Sequence, residues 1–346
     1  MEPLRDLLAP YVKAVERELR RRVPPAEGPY RTLYGMVRYH LGWTDRAFRP
    51  VPARTGKRVR AALCLMAGEA VGGRRDHILP AAAAVELVHE FSLIHDDIED
   101  GDRERRGRPT LWAVWGEAQA INAGDALFAL AFLTLDALPQ RGVAPERALE
   151  AHRRFTRTVV RLCEGQHLDL DFEQRSAVSP DEYLLMVEGK TAALIALAAE
   201  LGALVGGGDE EVVTLFRHFG HSLGVAFQMQ DDLLGLWGHP DRTGKPAGND
   251  LRRRKKSLPI LLAWQLSEEA AATLRALYAA SQVTDEMVAQ ALHAMEEVGA
   301  RAAAEAQMRE TYGKALEALS RLEKRLSADR LAPLRHLAKL LIERDY

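Results

Sequence analysis

The sequence predicts an all-α protein, a large helical bundle forming a single domain over residues 1–346. Three observations lead there. Almost every segment places apolar residues at i, i+3 and i+4. No stretch alternates with the period of two that a half-buried strand requires. No internal repeat or long linker divides the chain. With 346 residues, 47% of them hydrophobic, the chain has ample material for a large core.

The elements follow in order. Leu4, Leu7, Leu8, Tyr11, Val12, Val15 and Leu19 form the stripe of a first helix, and PPAEGP ends it. Tyr30 to Trp43 reads as a second helix, and Phe48 to Gly56, with two prolines, as loop. A helix from about Lys57 to Val71 stops at Gly72 and Gly73, and the next runs from about Ile78 into an acidic cluster. GDRERRGRP reads as loop, and Thr110 suits the N-cap of one long helix over 111–138. Helices follow near 145–172, 181–205 and 209–237. Gly220 and Gly224 would cost about 1 kcal/mol each in an exposed helix, so they read as positions of close helix approach. Trp237 to Ser257 is the longest loop-like region and the most basic, with Arg252, Arg253, Arg254, Lys255 and Lys256 in succession. The tail, 257–343, is again helical.

Composition excludes several classes. A net charge of −2 gives no reason to expect a nucleic-acid partner. The two cysteines, Cys64 and Cys163, sit in apolar helical patterns and read as structural thiols, not as a disulfide framework or zinc site. The N-terminal MEPLRDLLAP lacks the basic region and long apolar core of a signal peptide. No uninterrupted apolar run approaches the ~18 residues of a membrane span. The expectation is a soluble cytoplasmic protein.

The chemistry centres on ELVHEFSLIHDDIEDGDRERRGRPT, from Glu86 to Thr110. On a helix, Asp96 and Asp100 share one face, and Asp97 lies about 100° round. A solvated acidic helix end is the plain alternative. The apolar residues before the cluster (Val85, Leu87, Val88, Phe91, Leu93, Ile94) and the basic pair Arg105 and Arg106 after it count against that. Oxygen-only ligands suit Mg²⁺, which binds through one or two carboxylates plus substrate phosphates. A second pair, Asp231 and Asp232, ends another apolar helix before a loop rich in Gly, Pro and Lys.

With both acidic pairs in place, the chain resembles the trans-isoprenyl diphosphate synthases, or polyprenyl synthetase family, over about residues 50–262. The resemblance implies an isoprenoid-synthase bundle around a central cavity and head-to-tail condensation of isopentenyl diphosphate with an allylic diphosphate. It implies Mg²⁺ held by Asp96, Asp97, Asp100, Asp231 and Asp232, three ions with substrate bound. In TGKRVRAAL, Lys57, Arg58 and Arg60 match an isopentenyl diphosphate element, with Ala61 where proline is common; His89 matches a further ligand of that substrate. By resemblance, Arg105 faces the allylic diphosphate and Arg106 the isopentenyl one. Guanidinium suits both, because its planar fork binds phosphate bidentately. His95 is placed to orient the cluster. Gln166 and Asp169 match a Gly-Gln-x-x-Asp element. Lys190 and Thr191 match allylic-substrate residues, which with Gln228 would stabilise the cation. Lys245 and Lys255 match two diphosphate-facing lysines, with Lys256 as an alternative to Lys255. Catalysis is thus assigned to Asp96, Asp97, Arg105, Lys190, Gln228 and Asp231.

One departure stands out: Gly235 occupies the fifth position of the second motif, where the family often has Asp. Phe91, five positions before Asp96, and Ser92, four before it, resemble the chain-length floor of a twenty-carbon, geranylgeranyl producer. Farnesyl is the alternative product, and Phe91 could instead be plain core. Two other readings remain: a class I terpene cyclase, which would carry a different second motif, and a non-catalytic subunit of a heteromeric synthase, for which Gly235 is the hint. A homodimer is implied, with the apolar segment 111–138 as candidate interface.

Overall fold

The N-terminal stripe forms helix α1 (Glu2–Arg22), burying Leu4, Leu8, Val15 and Leu19. The computed structural model describes residues 2–52, 55–239 and 246–343. The elements are α2 (Arg31–His40), α3 (Val59–Ala70), α4 (Arg75–Glu99), strands β1 (Glu104–Arg105) and β2 (Arg108–Pro109), α5 (Leu111–Trp115), α6 (Glu117–Leu135) and α7 (Pro145–Gln174). Then come α8 (Pro180–Val187), a π-helical segment (Glu188–Ala192), α9 (Ala193–Gly206), α10 (Glu210–Trp237), α11 (Asn249–Arg252) and α12 (Leu258–Leu266). The chain continues through α13 (Glu268–Ala279), α14 (Asp285–Glu297), α15 (Ala300–Leu322) and α16 (Ala328–Ile342).

The all-α expectation holds, with local corrections. The loop after the acidic cluster contains an antiparallel hairpin, Glu104 opposite Pro109 and Arg105 opposite Arg108. Arg106 and Gly107 form its turn with φ of 54° and 69°. Positive φ at both central residues is the type I′ requirement, whose twist matches that of paired strands. The predicted 111–138 helix is two helices, broken at Gly116 (φ 84°). Thr110 stands at the N-cap position but does not cap through its side chain; its hydroxyl donates to the Asp102 carbonyl at 2.9 Å. The predicted 181–205 helix is interrupted by the π-helical segment. Cys64 is buried as expected, whereas Cys163 is exposed.

By contacts the chain divides into two compact units. The first comprises Met1–Arg157, Leu197–Phe216 and Glu323–Leu334. There α4 packs against α1, α3 and α6. Its Val85, Leu87 and Val88 are fully buried, each contributing about 1.5–3 kcal/mol relative to exposure. The second comprises Thr158–Ala196, Arg217–Leu322 and Arg335–Tyr346. In it α12 contacts α8, α13 and α15. Gly220 and Gly224 are close-approach positions, as predicted: a Cβ would lie 2.8 Å from Ala196 Cα at the first and 2.7 Å from Ala192 Cα at the second.

Among the described residues, two helices are long and apolar enough to cross a membrane by length and composition, contrary to the expectation from apolar runs. In α4 the apolar window is 72% buried, as a core helix requires; in α6 it is 39% buried. Ile121 and Leu133 of α6 are exposed.

Candidate active site

Within the first unit, the three basic residues of the Lys57–Arg60 element part company. Lys57 is exposed and Arg60 half-buried, but Arg58 is only 2% exposed. Arg58 takes a left-handed backbone (φ 52°) at the N-cap of α3. Its guanidinium turns inward to Glu16 at 2.9 Å, Glu86 at 3.0 Å and Glu90. Burial opposes its charge, but Glu90, Glu86 and Glu16 outweigh burial and raise its pKa. Arg58 is therefore corrected from substrate ligand to buried counter-ion. Sequence motifs cannot show which of several adjacent cations turns inward.

Arg60 Nη1 lies 3.2 Å from His89 Nε2. Burial, then the Arg60 charge, push the His89 pKa well below its ordinary value, so the imidazole is neutral. Glu90 sits one position further along α4 and is fully buried. It receives Arg58, and it accepts from Arg106 Nη2 at 3.1 Å and Nη1 at 3.4 Å. His40 Nε2 lies 2.9 Å away. Burial would raise the Glu90 pKa, but Arg58 and Arg106 prevail and hold it well below the carboxylate range.

The hairpin sets the two site arginines apart. Arg106, at the turn, reaches Glu90; Arg105, on β1, donates through Nε to Asp97 Oδ1 at 2.6 Å. The hairpin base is pinned by Arg108, which donates to the carbonyls of Thr44 at 2.7 Å and Tyr39 at 3.2 Å. Asp97 is 1% exposed. Burial raises its pKa, and Arg105 counters that. Asp97 thus serves as the seat for Arg105, while Asp96 and Asp100 remain half-buried.

Phe91 begins an aromatic series invisible in the local sequence. Its ring is 5.1 Å from Phe128, Phe128 is 5.1 Å from Phe132, and Phe132 is 5.1 Å from Phe155. Ser92 donates to the His89 carbonyl at 2.9 Å. His95 packs edge-on to Phe91 at 5.0 Å and against Gly124, where a Cβ would fall 2.3 Å from its Nε2. That position does not support its expected role of orienting the acidic cluster.

In the second unit, the π-helical segment carries Lys190 and Thr191. Gly165 permits α7 to cross it closely: a Cβ there would lie 2.1 Å from Lys190 N. One turn along α7, Asp169 forms an ion pair with Lys190. Gln166 is half-buried nearby in sequence. On α10, Gln228 accepts from the Thr191 hydroxyl at 3.0 Å and donates to Asp232 Oδ1 at 2.9 Å.

Asp232 is 6% exposed. It accepts from the Tyr183 hydroxyl at 2.5 Å and from Leu258 N at 3.2 Å. Burial, then the nearby Asp250 charge, push its pKa up to about 6. Asp232 is a buried acceptor, so the expectation that it ligates metal is corrected; Asp231 beside it is half-buried. Tyr183 was missed because a tyrosine in an apolar helix gives no motif signal.

Gly235 also finds its physical context here. A Cβ at this position would lie 2.4 Å from Asp250 Oδ2. The carboxylate of Asp250 therefore occupies the space a longer residue at 235 would need. Of the lysine pair, Lys256 donates to the carbonyls of Phe172 and, at 3.3 Å, Glu173 at the end of α7. Lys255 is exposed. Lys245 lies outside the described residues.

Among the described residues, no three His, Cys, Asp or Glu side chains converge on one metal position. The donor chemistry nevertheless fits Mg²⁺, which takes one or two carboxylates and completes its shell with water and phosphate oxygens. Asp96 and Asp100 in the first unit, and separately Asp231 in the second, are half-buried carboxylates of that kind.

An all-helical chain with two aspartate-bearing helix ends and separately seated arginines is of the isoprenoid-synthase class. The family model for polyprenyl synthetase matches residues 42–295. A geranylgeranyl diphosphate synthase of Mycobacterium tuberculosis is 46% identical over 262 residues, 76% of this chain and 73% of that one. A (2E,6E)-farnesyl diphosphate synthase of Mycobacterium bovis is 45% identical over 261 residues, 75% of this chain and 69% of that one. The crystal structure of a polyprenyl synthetase from Streptomyces coelicolor superposes with a TM-score of 0.89 at 38% identity, covering 97% of this chain and 99% of that one. The chain belongs to the polyprenyl synthetase family: it is a transferase of prenyl groups, acting on isoprenyl diphosphates in a family that is generally magnesium-dependent.

Proposed function

We propose that the protein condenses isopentenyl diphosphate head-to-tail with an allylic diphosphate and stops at the twenty-carbon geranylgeranyl diphosphate. The observation that carries the product length is Phe91, seated five residues before Asp96 and backed by the rings of Phe128, Phe132 and Phe155. Bulk at that depth would arrest an elongating apolar chain. The relative named a geranylgeranyl synthase supports the same length, and the one named a farnesyl synthase supports fifteen carbons as the second reading.

In this reading, Lys57, Arg60, His89 and Arg106 bind isopentenyl diphosphate. Arg105, Lys190, Lys245 and Lys255 bind the allylic diphosphate. Asp96, Asp100 and Asp231 would hold Mg²⁺, three ions when substrate is bound, and the metal would neutralise the departing diphosphate. The allylic C–O bond breaks and its electrons leave with diphosphate. The double bond of isopentenyl diphosphate attacks the cation, and a proton then leaves, with released diphosphate as its acceptor. Lys190 organises the leaving group through the pairing that Asp169 gives it. The hydroxyl of Thr191 and the amide oxygen of Gln228 present electron-rich atoms to the cation. The protein's share is positioning and electrostatics in an apolar surround.

Gly235, the hint of a non-catalytic subunit, is accompanied by the Asp250 carboxylate and gives that reading little support. A homodimer is part of the proposal, supported by the half-covered apolar face of α6. The test is product analysis. Purified protein with Mg²⁺ and labelled isopentenyl diphosphate is offered dimethylallyl, geranyl or farnesyl diphosphate, and the dephosphorylated alcohols are separated. A ladder ending at twenty carbons is expected. One ending at fifteen moves the floor, and a hydrocarbon formed from the allylic substrate alone means a cyclase.

A further inference from the structure

Four side chains of the second unit form one hydrogen-bonded line. Tyr183, 1% exposed, donates to Asp232 Oδ2 at 2.5 Å. Asp232 Oδ1 accepts from Gln228 Nε2 at 2.9 Å. Gln228 Oε1 accepts from Thr191 Oγ1 at 3.0 Å. Leu258 N donates to Asp232 Oδ2 at 3.2 Å and completes the set.

A primary amide has two chemically opposite ends, an NH₂ that only donates and an oxygen that only accepts. Turning the amide over changes its shape little and reverses its polarity. An ionised carboxylate only accepts, so Asp232 admits the nitrogen end of Gln228 and rejects the oxygen end. The oxygen must then point to Thr191. Asp232 imposes this only while one of its two equivalent oxygens is kept aimed at Gln228, and Tyr183 and Leu258 N, both bound to Oδ2, hold the carboxylate so that Oδ1 is. The phenol is the stronger of those restraints by distance.

We propose that Tyr183 is a positioning residue: acting through Asp232, it sets the direction of the Gln228 amide, so that oxygen and not nitrogen faces Thr191 and the reacting allylic carbon. The last clause rests on the function proposed above. Reversal of the amide would aim positive N–H groups at a developing cation, and a fixed dipole is most effective where charge appears.

The experiment is a double-mutant cycle on the full chain with Mg²⁺ and both substrates: wild type, Tyr183→Phe, Gln228→Ala and the double variant. Tyr183→Phe should lower kcat by roughly ten- to a hundredfold with little change in either KM. In the Gln228→Ala background it should change nothing further, because its route to the reaction is gone. Effects that multiply instead would make Tyr183 merely structural and overturn the proposal. A second readout needs no turnover. The side-chain amide signals of Gln228 in a ¹⁵N spectrum, assigned by their loss in Gln228→Ala, should shift and exchange faster with solvent in Tyr183→Phe. Unchanged signals would also overturn it. If the wild type incorporates no isopentenyl unit, the proposed function falls, while the amide signals still decide what Tyr183 does. Should Tyr183→Phe fail to fold, Asp232→Asn carries the same two measurements with the same expected directions.

Discussion

Glu90 holds Arg106 by both terminal nitrogens, at 3.1 and 3.4 Å, while the same carboxylate receives Arg58 from α3. One buried acid thereby ties a proposed diphosphate ligand to the helix behind it. Glu90→Ala should destabilise the protein by about 3–5 kcal/mol, the usual cost of leaving a buried charge without its partner. Glu90→Gln keeps the shape and loses the charge. It should fold more stably than Glu90→Ala and raise the KM for isopentenyl diphosphate. Urea denaturation and steady-state kinetics check the two parts separately.

His89 should make stability depend on pH. Burial and Arg60, with Arg106 and Arg58, depress its folded pKa, and Glu90 opposes them only in part. The unfolded chain therefore takes up a proton near the ordinary histidine pKa of about 6.5 that the fold refuses. This contribution is fully present above that pH and is lost as pH falls toward the folded pKa. The limiting slope is about 1.4 kcal/mol per pH unit. Urea midpoints between pH 7.5 and 5.5 should fall less steeply for His89→Gln than for wild type. Equal slopes would refute the assignment.

Restoring the commoner aspartate at position 235 should do harm. Its Cβ alone would lie 2.4 Å from Asp250 Oδ2, and a second carboxylate would add repulsion. Gly235→Asp is expected to lose about 1–3 kcal/mol, as overpacked positions do, along with activity. Gly235→Asp combined with Asp250→Gly should recover part of both. A single variant as stable as wild type would show that Asp250 moves aside without cost.

Removing the ring of Phe91 should lengthen the product. Phe91→Ala opens space above Phe128, and chromatography of the prenols should show chains beyond twenty carbons. An unchanged distribution would mean that Phe91 is core only.

The two lysines after the arginine run should separate by phenotype. Lys256→Ala should lower the melting temperature, because its ammonium caps the carbonyls of Phe172 and Glu173. Lys255→Ala should leave melting unchanged and raise the KM for the allylic diphosphate.

Much of this was readable in the sequence for a local reason. Helices such as α4 and α10 announce themselves through the period of their apolar residues, and the acidic clusters end them in plain view. What escaped depended on partners far along the chain or on single residues. The hairpin has two-residue strands, too short for any period to show. The π-helical segment, EGKTA, is one widened turn between two helices, and no residue pattern distinguishes such a turn from a regular one. Arg58 resembles its neighbours until Glu16, Glu86 and Glu90 claim it. Asp232 resembles Asp231 until Tyr183 and Leu258 N meet it from other elements. Gly235 looks like a loss until Asp250 is placed beside it.

The π-helical segment also constrains the length of the chain. Such a segment accommodates one more residue than a regular turn. Deleting any one of Glu188 to Ala192 would heal it into ordinary α-helix, a locally harmless change. The widened turn already absorbs the extra residue, so the flanking helices would keep their phase, while the segment's own side chains would be redistributed around the axis. Tyr183 would keep Asp232, but Lys190 and Thr191 would no longer be held where Asp169 and Gln228 meet them. The spacing between Tyr183 and Thr191 is therefore expected to tolerate substitutions far better than insertions or deletions. A designer recombining segments of this protein should treat residues 183–191 as one indivisible cassette.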